Sequence, residues 1–282
     1  MQRPIRWIKK IRNPRRLLKD LEFGAIRRCY LLLSPQATRI TNMTWDNLIV
    51  LDGCRFDVFA RYSDLPGKLV KKLSVASCTW NWIVKNFRGA DLRDTIYISA
   101  NPYVSYYYLG RTLGYVPFHK IVEVWKDNWN DELMTVHPSA VNQATLKVLD
   151  SKPHKRLLIH YLQPHHPFIG DVKLLDTDAV PFRDKVLGRN DIKTEKLDAF
   201  KLLKEGSIDI KTIWKAYISN LKLVLRHVSE LLPSLTGKIC ITSDHGNTFG
   251  RYGVFYGHPE KTLIPELIEI PWLEYACTQR RH

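Results

Sequence analysis

The stretch "ICITSDHGNTFG" (239–250) decides how the rest of the chain is read. Ile239, Cys240, Ile241 and Thr242 run without a break into Ser243, Asp244, His245 and Gly246. A run of that composition reads as a short buried strand, because β-branched residues pack well on a pleated surface. Cys240 and Thr242 then alternate in facing with Ile241 and Ser243. The strand delivers a carboxylate and an imidazole together to one edge of a sheet. "NLIVLDGCRFD" (47–57) repeats the pattern, with an apolar run to Leu51 followed by Asp52.

Outward from these two strands, apolar β-type runs at 73–76, 95–99, 120–125 and 156–162 alternate with helical patterns at 55–62, 80–87, 138–149 and 213–232. Such alternation predicts an α/β fold with a largely parallel central sheet and helices on both faces. In these sheets ligands bind outside the carboxyl ends of the strands. Asp52, Ser77, His165 and the Asp244-His245 pair each fall just after a predicted strand. His166 adjoins His165 in "HYLQPHHPF", and His258 stands in "YGHPEK". Taken singly, each has an ordinary explanation, since an Asp after a strand forms turns and a His-Pro loop is simply rigid. Together the acids, imidazoles and hydroxyl make a divalent-metal inventory whose mixed O and N donors suit Mn or Zn, with Mg as an alternative. Arg55 in "DGCRFD" reads as a substrate contact or, more simply, as an ion-pair partner of Asp57.

The 282 residues carry a net charge of +15, unevenly spread. Residues 1–40 hold eleven Lys or Arg against Asp20 and Glu22, and they read as basic amphipathic helices set apart from a catalytic domain at 41–282. Pro14 starts the second helix after Asn13, and Leu17, Leu18, Leu21, Ala25 and Leu32 share one face. A solvated helix covering the domain is the simplest reading, and peripheral contact with anionic lipid headgroups the next. No nucleic-acid-binding motif accompanies the charge, so nucleic acid is not the expected partner. No run approaches the ~18 apolar residues of a membrane span. The five cysteines are scattered and form no CxxC pair, which suggests a reducing, cytoplasmic setting, with the basic segment at the inner face of a membrane. The polar stretch at 170–209 is the expected insertion or lid. In "NPYVSYYYLG" (101–110), Tyr103, Tyr106 and Tyr107 read as half-buried core in preference to a sugar-stacking surface.

The order "VLDGCRFD", "VASCTWNW", "QPHHPF", "ITSDHGN" and "GHP" with "IEIPWL" resembles the alkaline phosphatase-like superfamily, in particular its sulfatase-like hydrolases and transferases. The resemblance runs over about 47–273. It implies that Asp52, Asp244 and His245 bind a divalent metal, and that a hydroxyl at a helix start attacks phosphorus or sulfur. Ser77 is the first choice, because it directly precedes the helical run and its relation to Trp82 resembles the phosphomutase-like branch. Thr79 is the alternative, and either hydroxyl also fits a plain helix cap. Formylglycine sulfatases carry Cys-x-Pro-x-Arg where this chain has Cys78-Thr79-Trp80-Asn81-Trp82, which disfavours an ordinary arylsulfatase. Gln163 stands where two-metal members place an acid, leaving one ion or two.

The expectation is therefore a metal-dependent hydrolase or transferase of a phosphate ester, less readily a sulfate ester. Its substrate would be a small molecule or a glycan- or lipid-linked ester. His258 would join the metal ligands by completing a second site with His165, or both would bind the anion directly, and His166 and Arg55 would contact it too. The alternative is a non-catalytic scaffold of the same fold, attached to membranes by its basic segment. If Asp52, Asp244 and His245 share one ion, their ligating atoms lie within roughly 4–5 Å of one another.

Overall fold

The computed structural model describes residues 36–151, 155–177, 179–189, 198–251 and 255–275, with four isolated positions (24, 25, 28 and 32) before them. The basic helices expected at 1–40 lie almost wholly outside the described residues. In chain order the elements are β1 (Asn47–Leu51), α1 (Phe56–Tyr62), β2 (Gly67–Leu73), α2 (Thr79–Phe87), β3 (Leu92–Ser99), α3 (Tyr106–Leu113), β4 (Phe118–Glu123) and α4 (Val124–Asp127). Next come a two-residue-per-strand hairpin of β5 (Trp129–Asn130) and β6 (Thr135–Val136), then α5 (Pro138–Asp150) and β7 (Arg156–Tyr161). The chain continues through α6 (Val180–Val186), α7 (Ala199–Lys204), α8 (Ile210–Leu231) and β8 (Ile239–Thr242). A second hairpin, β9 (Thr248–Arg251) and β10 (Phe255–Gly257), precedes α9 (Pro265–Ile268) and β11 (Glu269–Tyr275).

Seven strands form one sheet in the order β2-β11-β8-β1-β7-β3-β4. β1 pairs in parallel with both β7 and β8, and β3 in parallel with β7 and β4. β11 alone runs antiparallel, against β8 on one side and β2 on the other, so β2 again points the same way as the rest. Six carboxyl ends therefore meet at one edge. The expected α/β architecture, a largely parallel central sheet with helices on both faces, is what the chain forms.

Both sheet faces are covered, which is why the central strands read as continuous apolar runs. Ile49, Leu51, Ile159, Ile239 and Ile241 face a core shared with α1, α5 and α8. Leu48, Val50, Leu158 and Cys240 face the other, shared with Trp82, Ile83 and Phe87 of α2 and Leu109 of α3. The alternation of Cys240 against Ile241 follows from that pleat. Helix starts are capped locally: Asp209 accepts from Thr212 N–H at 2.6 Å, and Ser105 from Tyr108 N–H at 3.1 Å. Each such cap satisfies an orphan N–H of the first turn.

Two strand placements differ from the sequence reading. The run expected at 73–76 is the exit of β2, whose own sequence, GKLVKKL, reads as a loop because edge strands are blunted with lysine. Lys120–Trp125 was too long for a strand, because β4 stops at Glu123 and one helical turn follows. Tyr103 is half-buried, its ring tilted against Phe182 with centroids 4.3 Å apart, whereas Tyr106 is 47% exposed. No helix among the described residues is long and apolar enough to cross a membrane.

Candidate active site

Five strand exits supply the site. Asp52 follows β1, Asn101 follows β3, His165 follows β7, Asp244 and His245 follow β8, and the exit of β2 leads to Ser74 and Thr79. The exits are stitched together by backbone: Asp52 N–H donates to Tyr161 O at 3.1 Å, and His165 N–H to Asp52 O at 3.0 Å. Ser243 Oγ accepts from Cys54 N–H at 2.9 Å and donates to Leu51 O at 2.6 Å, which locks the β1 and β8 turns to each other. Gly53 takes a positive φ of 67° in that turn, and an added Cβ on Gly246 would overlap the Glu266 carbonyl oxygen. Glycine is the residue for both positions.

Asp244 is fully buried and its two oxygens are treated differently. Oδ1 accepts from Gly53 N–H at 3.1 Å and His245 N–H at 2.8 Å, while Oδ2 accepts no hydrogen bond from any described residue. His245 donates Nδ1–H to Gly246 O at 2.6 Å, which leaves the Nε2 lone pair facing inward. That nitrogen lies 3.4 Å from Asp244 Oδ2, 3.5 Å from Asp52 Oδ1 and 3.2 Å from Thr79 Oγ1. Asp52 Oδ2 accepts from Asn101 Nδ2 at 2.7 Å, and Thr79 Oγ1 stands 3.4–3.5 Å from both Asp52 oxygens. Burial pulls the pKa of His245, and of the neighbouring His160, down to about 4, so both imidazoles are neutral at neutral pH. The separations sit within the 4–5 Å expected for three ligands of one ion.

These residues fit a divalent cation. Two buried carboxylates share a small space with an amide, a hydroxyl and neutral imidazoles, and an unpaired buried charge is costly. One oxygen of Asp244 is left without a hydrogen bond, and one nitrogen of His245 is held as a lone pair. Zn and Mn accept such a mixed oxygen and nitrogen set.

A second cluster adjoins the first. His165, His166 and His258 each bring a ring nitrogen within 4.8 Å of the other two, and the His258 ring centroid is 4.6 Å from that of His245. His165 Nδ1–H donates to His166 O at 2.6 Å, and its Nε2 meets His258 Nε2 at 2.6 Å. Burial first, then the neighbouring imidazoles, hold His165 far below its usual pKa. A neutral His165 with its proton on Nδ1 makes His258 the Nε2–H donor between them. His258, expected to complete a second metal site with His165 or to contact the anion beside it, stands against His165 and His166 in this second group. Gln163 donates to Val136 O at 3.0 Å, and the acid that faces this cluster is Asp176, whose Oδ1 lies 3.2 Å from His166 Nδ1.

Ser77 does not reach the first cluster. Its hydroxyl donates to Pro259 O at 2.9 Å and accepts from Thr262 N–H at 3.3 Å, tying down the loop that carries His258. Thr79, the first residue of α2, is the hydroxyl at Asp52 and His245. Ser77→Ala is therefore expected to cost about 0.5–1.5 kcal/mol of stability, read as a lower melting temperature, because both hydrogen bonds to the 259–262 loop are lost. Arg55 forks onto Asp57 at 2.8 and 2.7 Å and lies over the Trp214 ring at 5.1 Å, so its guanidinium is committed to packing rather than turned to the anion. Sequence reasoning missed Asn101, His160 and Asp176. Asn101 carried a signal, since it too follows a strand; a lone His inside β7 and an Asp in a polar loop carried none.

No family model matches the chain, and no curated protein does. Among solved structures it is similar to the integral membrane protein lipooligosaccharide phosphoethanolamine transferase A from Neisseria meningitidis. The identity is 14% and the TM-score 0.49, over 83% of this chain and 48% of that one. It is also similar to the C-terminal periplasmic domain of EcEptC from Escherichia coli in complex with Zn, at 12% identity and TM-score 0.45, over 84% of this chain and 75% of that one. The lipoteichoic acid synthase LtaP from Listeria monocytogenes matches at 10% identity and TM-score 0.48, over 83% and 66%. This chain thus spans about half the length of the meningococcal protein. At these values the similarity is one of architecture, and the chemistry rests on the site's own residues. The cytoplasmic placement is corrected: several of these similar structures are C-terminal periplasmic domains. The inference from cysteines failed for a physical reason. Cys54, Cys78 and Cys240 are free but buried, and a thiol shielded from oxidants and partners reports no redox compartment.

Proposed function

We propose that this chain is a metal-dependent transferase or hydrolase of phosphate esters with Thr79 as its nucleophile. The observation that carries the reading is the convergence of Thr79 Oγ1, His245 Nε2, Asp52 Oδ1 and the unbonded Asp244 Oδ2 within hydrogen-bonding or ion-pairing reach of a common point. Asp52, Asp244 and His245 would hold the cation. A divalent ion bound there supplies Lewis acidity and neutralises charge developing on the phosphoryl oxygens. Thr79 directs its O–H toward the Asp52 carboxylate, which raises electron density on Oγ1. Oγ1 then attacks phosphorus as its proton passes to Asp52 and on to the leaving alkoxide, the bond to that alkoxide breaks, and a phosphothreonine remains for water or an acceptor hydroxyl to resolve. Thr79 opens α2, and the first turn of a helix is a favourable place for phosphoryl oxygens. His165 and His258 orient the ester from the second cluster.

The walls favour a lipid- or glycan-linked ester. Trp80, next to Thr79, packs on Tyr103 at 5.6 Å, and Tyr103 on Phe182 of the insertion, making an aromatic flank. The basic 1–40 segment suits an anionic membrane surface nearby. The test is elemental analysis of the full chain after dialysis against Zn, Mn or Mg, followed by turnover of phosphomonoesters, phosphodiesters and aryl sulfates. Stoichiometric metal with phosphoester turnover is expected. Absence of both, with tight binding to anionic vesicles, would favour the scaffold.

A further inference from the structure

Beneath Asp52 the sheet contains a polar pair that the chemistry above does not use. Tyr97 on β3 and His160 on β7 are both fully buried, and Tyr97 Oη lies 2.9 Å from His160 Nδ1. The pair is walled by Trp82 and Phe87, with the Trp82 ring 6.2 Å from the imidazole. On the other side of the ring, His160 Nε2 has no hydrogen-bond partner among the described residues and stands 3.6 Å from Asp52 Oδ2. The register explains the alignment: His160 is paired with Val50, two residues before Asp52, and with Ser99, two residues after Tyr97.

The proton positions follow from these contacts. Were Nδ1 the only protonated nitrogen, Nε2 would aim a lone pair at the Asp52 carboxylate oxygen 3.6 Å away, an arrangement that only a cation held by both could support, and the test below separates that case. A proton on Nε2 removes that conflict, and the tyrosine O–H then donates to Nδ1. At 3.6 Å the Nε2–H acts on Asp52 as a charge–dipole contact, longer than a full hydrogen bond. Its direction matters more than its strength. Asn101 and His160 both address Oδ2, which leaves Oδ1 as the oxygen facing His245 Nε2. Asp244 shows the same division, with one oxygen held by N–H groups and the other left open.

We propose that Tyr97 and His160 form a positioning relay that turns the Asp52 carboxylate to present Oδ1 to the cation; this rests on the reading of Asp52 as a metal ligand. In this relay His160 keeps its proton on Nε2 and positions Asp52 without ligating the ion, although one of its ring nitrogens, Asp52 and Asp244 lie within 4.8 Å of one another. Groups that orient metal ligands in this way typically contribute 10–100-fold to affinity.

The experiment is titration of the full-length chain with Zn²⁺ against a chelator, using Asp244→Asn to identify the binding event that belongs to this site. Tyr97→Phe keeps the shape and removes only the hydroxyl, and a loss of about 10-fold in Zn²⁺ affinity is expected. His160→Leu should lose up to about 100-fold. His160→Gln, whose amide N–H reaches the place of Nε2–H, should recover most of it. Melting temperatures without metal separate this from a purely structural role, which would lower them and leave affinity unchanged. Wild-type affinity in both Tyr97→Phe and His160→Leu overturns the relay while the cation site stands. Zn²⁺ binding lost in both His160 variants but unchanged in Tyr97→Phe makes His160 a ligand and overturns it equally. A wild-type chain that binds no Zn²⁺ at this site removes the relay together with the metal reading. Tyr97→Phe alone decides the matter if the His160 variants do not fold.

Discussion

Thr79→Ala is expected to lower phosphoester turnover by about 10⁴-fold or more, the scale on which removal of an attacking nucleophile is felt. The expectation comes from placement. Thr79 is 5% exposed, opens α2, and is the hydroxyl that meets both Asp52 and His245 Nε2. Ser77, two residues earlier, spends its hydroxyl on the 259–262 loop. Thr79→Ser should retain much of the activity, since the same oxygen stays within the same shell. Mass spectrometry of the enzyme quenched during turnover should find the covalent phosphoryl adduct on the peptide containing Thr79, and none in Thr79→Ala. Wild-type turnover in Thr79→Ala, or an adduct on Ser77, would refute the assignment.

Asp244→Asn is expected to abolish metal binding at the first cluster while leaving the fold intact. An asparagine can keep its carbonyl oxygen on Gly53 N–H and His245 N–H, so the turn survives. What it loses is the negative charge and the open Oδ2. In the metal-free state that loss relieves a buried charge, and the apo variant should melt at or above the wild-type temperature. With metal at 100 times its Kd, the wild-type chain should gain about 2.7 kcal/mol, and for a chain of this size that amounts to roughly 5–10 °C. The variant should gain nothing. A metal-dependent shift that persists in Asp244→Asn would show that the ion sits elsewhere, with the three histidines as the first place to look.

The second cluster draws on the 170–209 stretch as well as on strand exits. Asp176 accepts from Ala199 N–H at 2.9 Å while facing His166, and Phe200 of α7 lies 4.9 Å from the His166 ring. The polar stretch at 170–209 therefore contributes a carboxylate and a hydrophobic cover to a site built otherwise at strand exits. Nothing in its composition marked Asp176 as the residue that faces His166.

What the sequence determined by itself was everything carried by local pattern. The apolar runs at Asn47–Leu51 and Ile239–Thr242 can be satisfied only with both faces covered, and that requirement dictates central parallel strands with helices on either side. Because parallel strands send their exits to one edge, Asp52 and the Asp244-His245 pair were bound to meet, however much chain separates them. The tertiary structure alone decided which neighbours complete the site. Ser77 and Thr79 are alike in sequence terms, both small hydroxyls at a helix start, and they are told apart by a helical turn that aims one at Asp52 and the other at the 259–262 loop. His160 and Tyr97 are ordinary strand residues until the registers of β1, β7 and β3 stack them beneath Asp52. Register is set by the packing of every side chain on both sheet faces at once, a global balance that no local run of residues encodes.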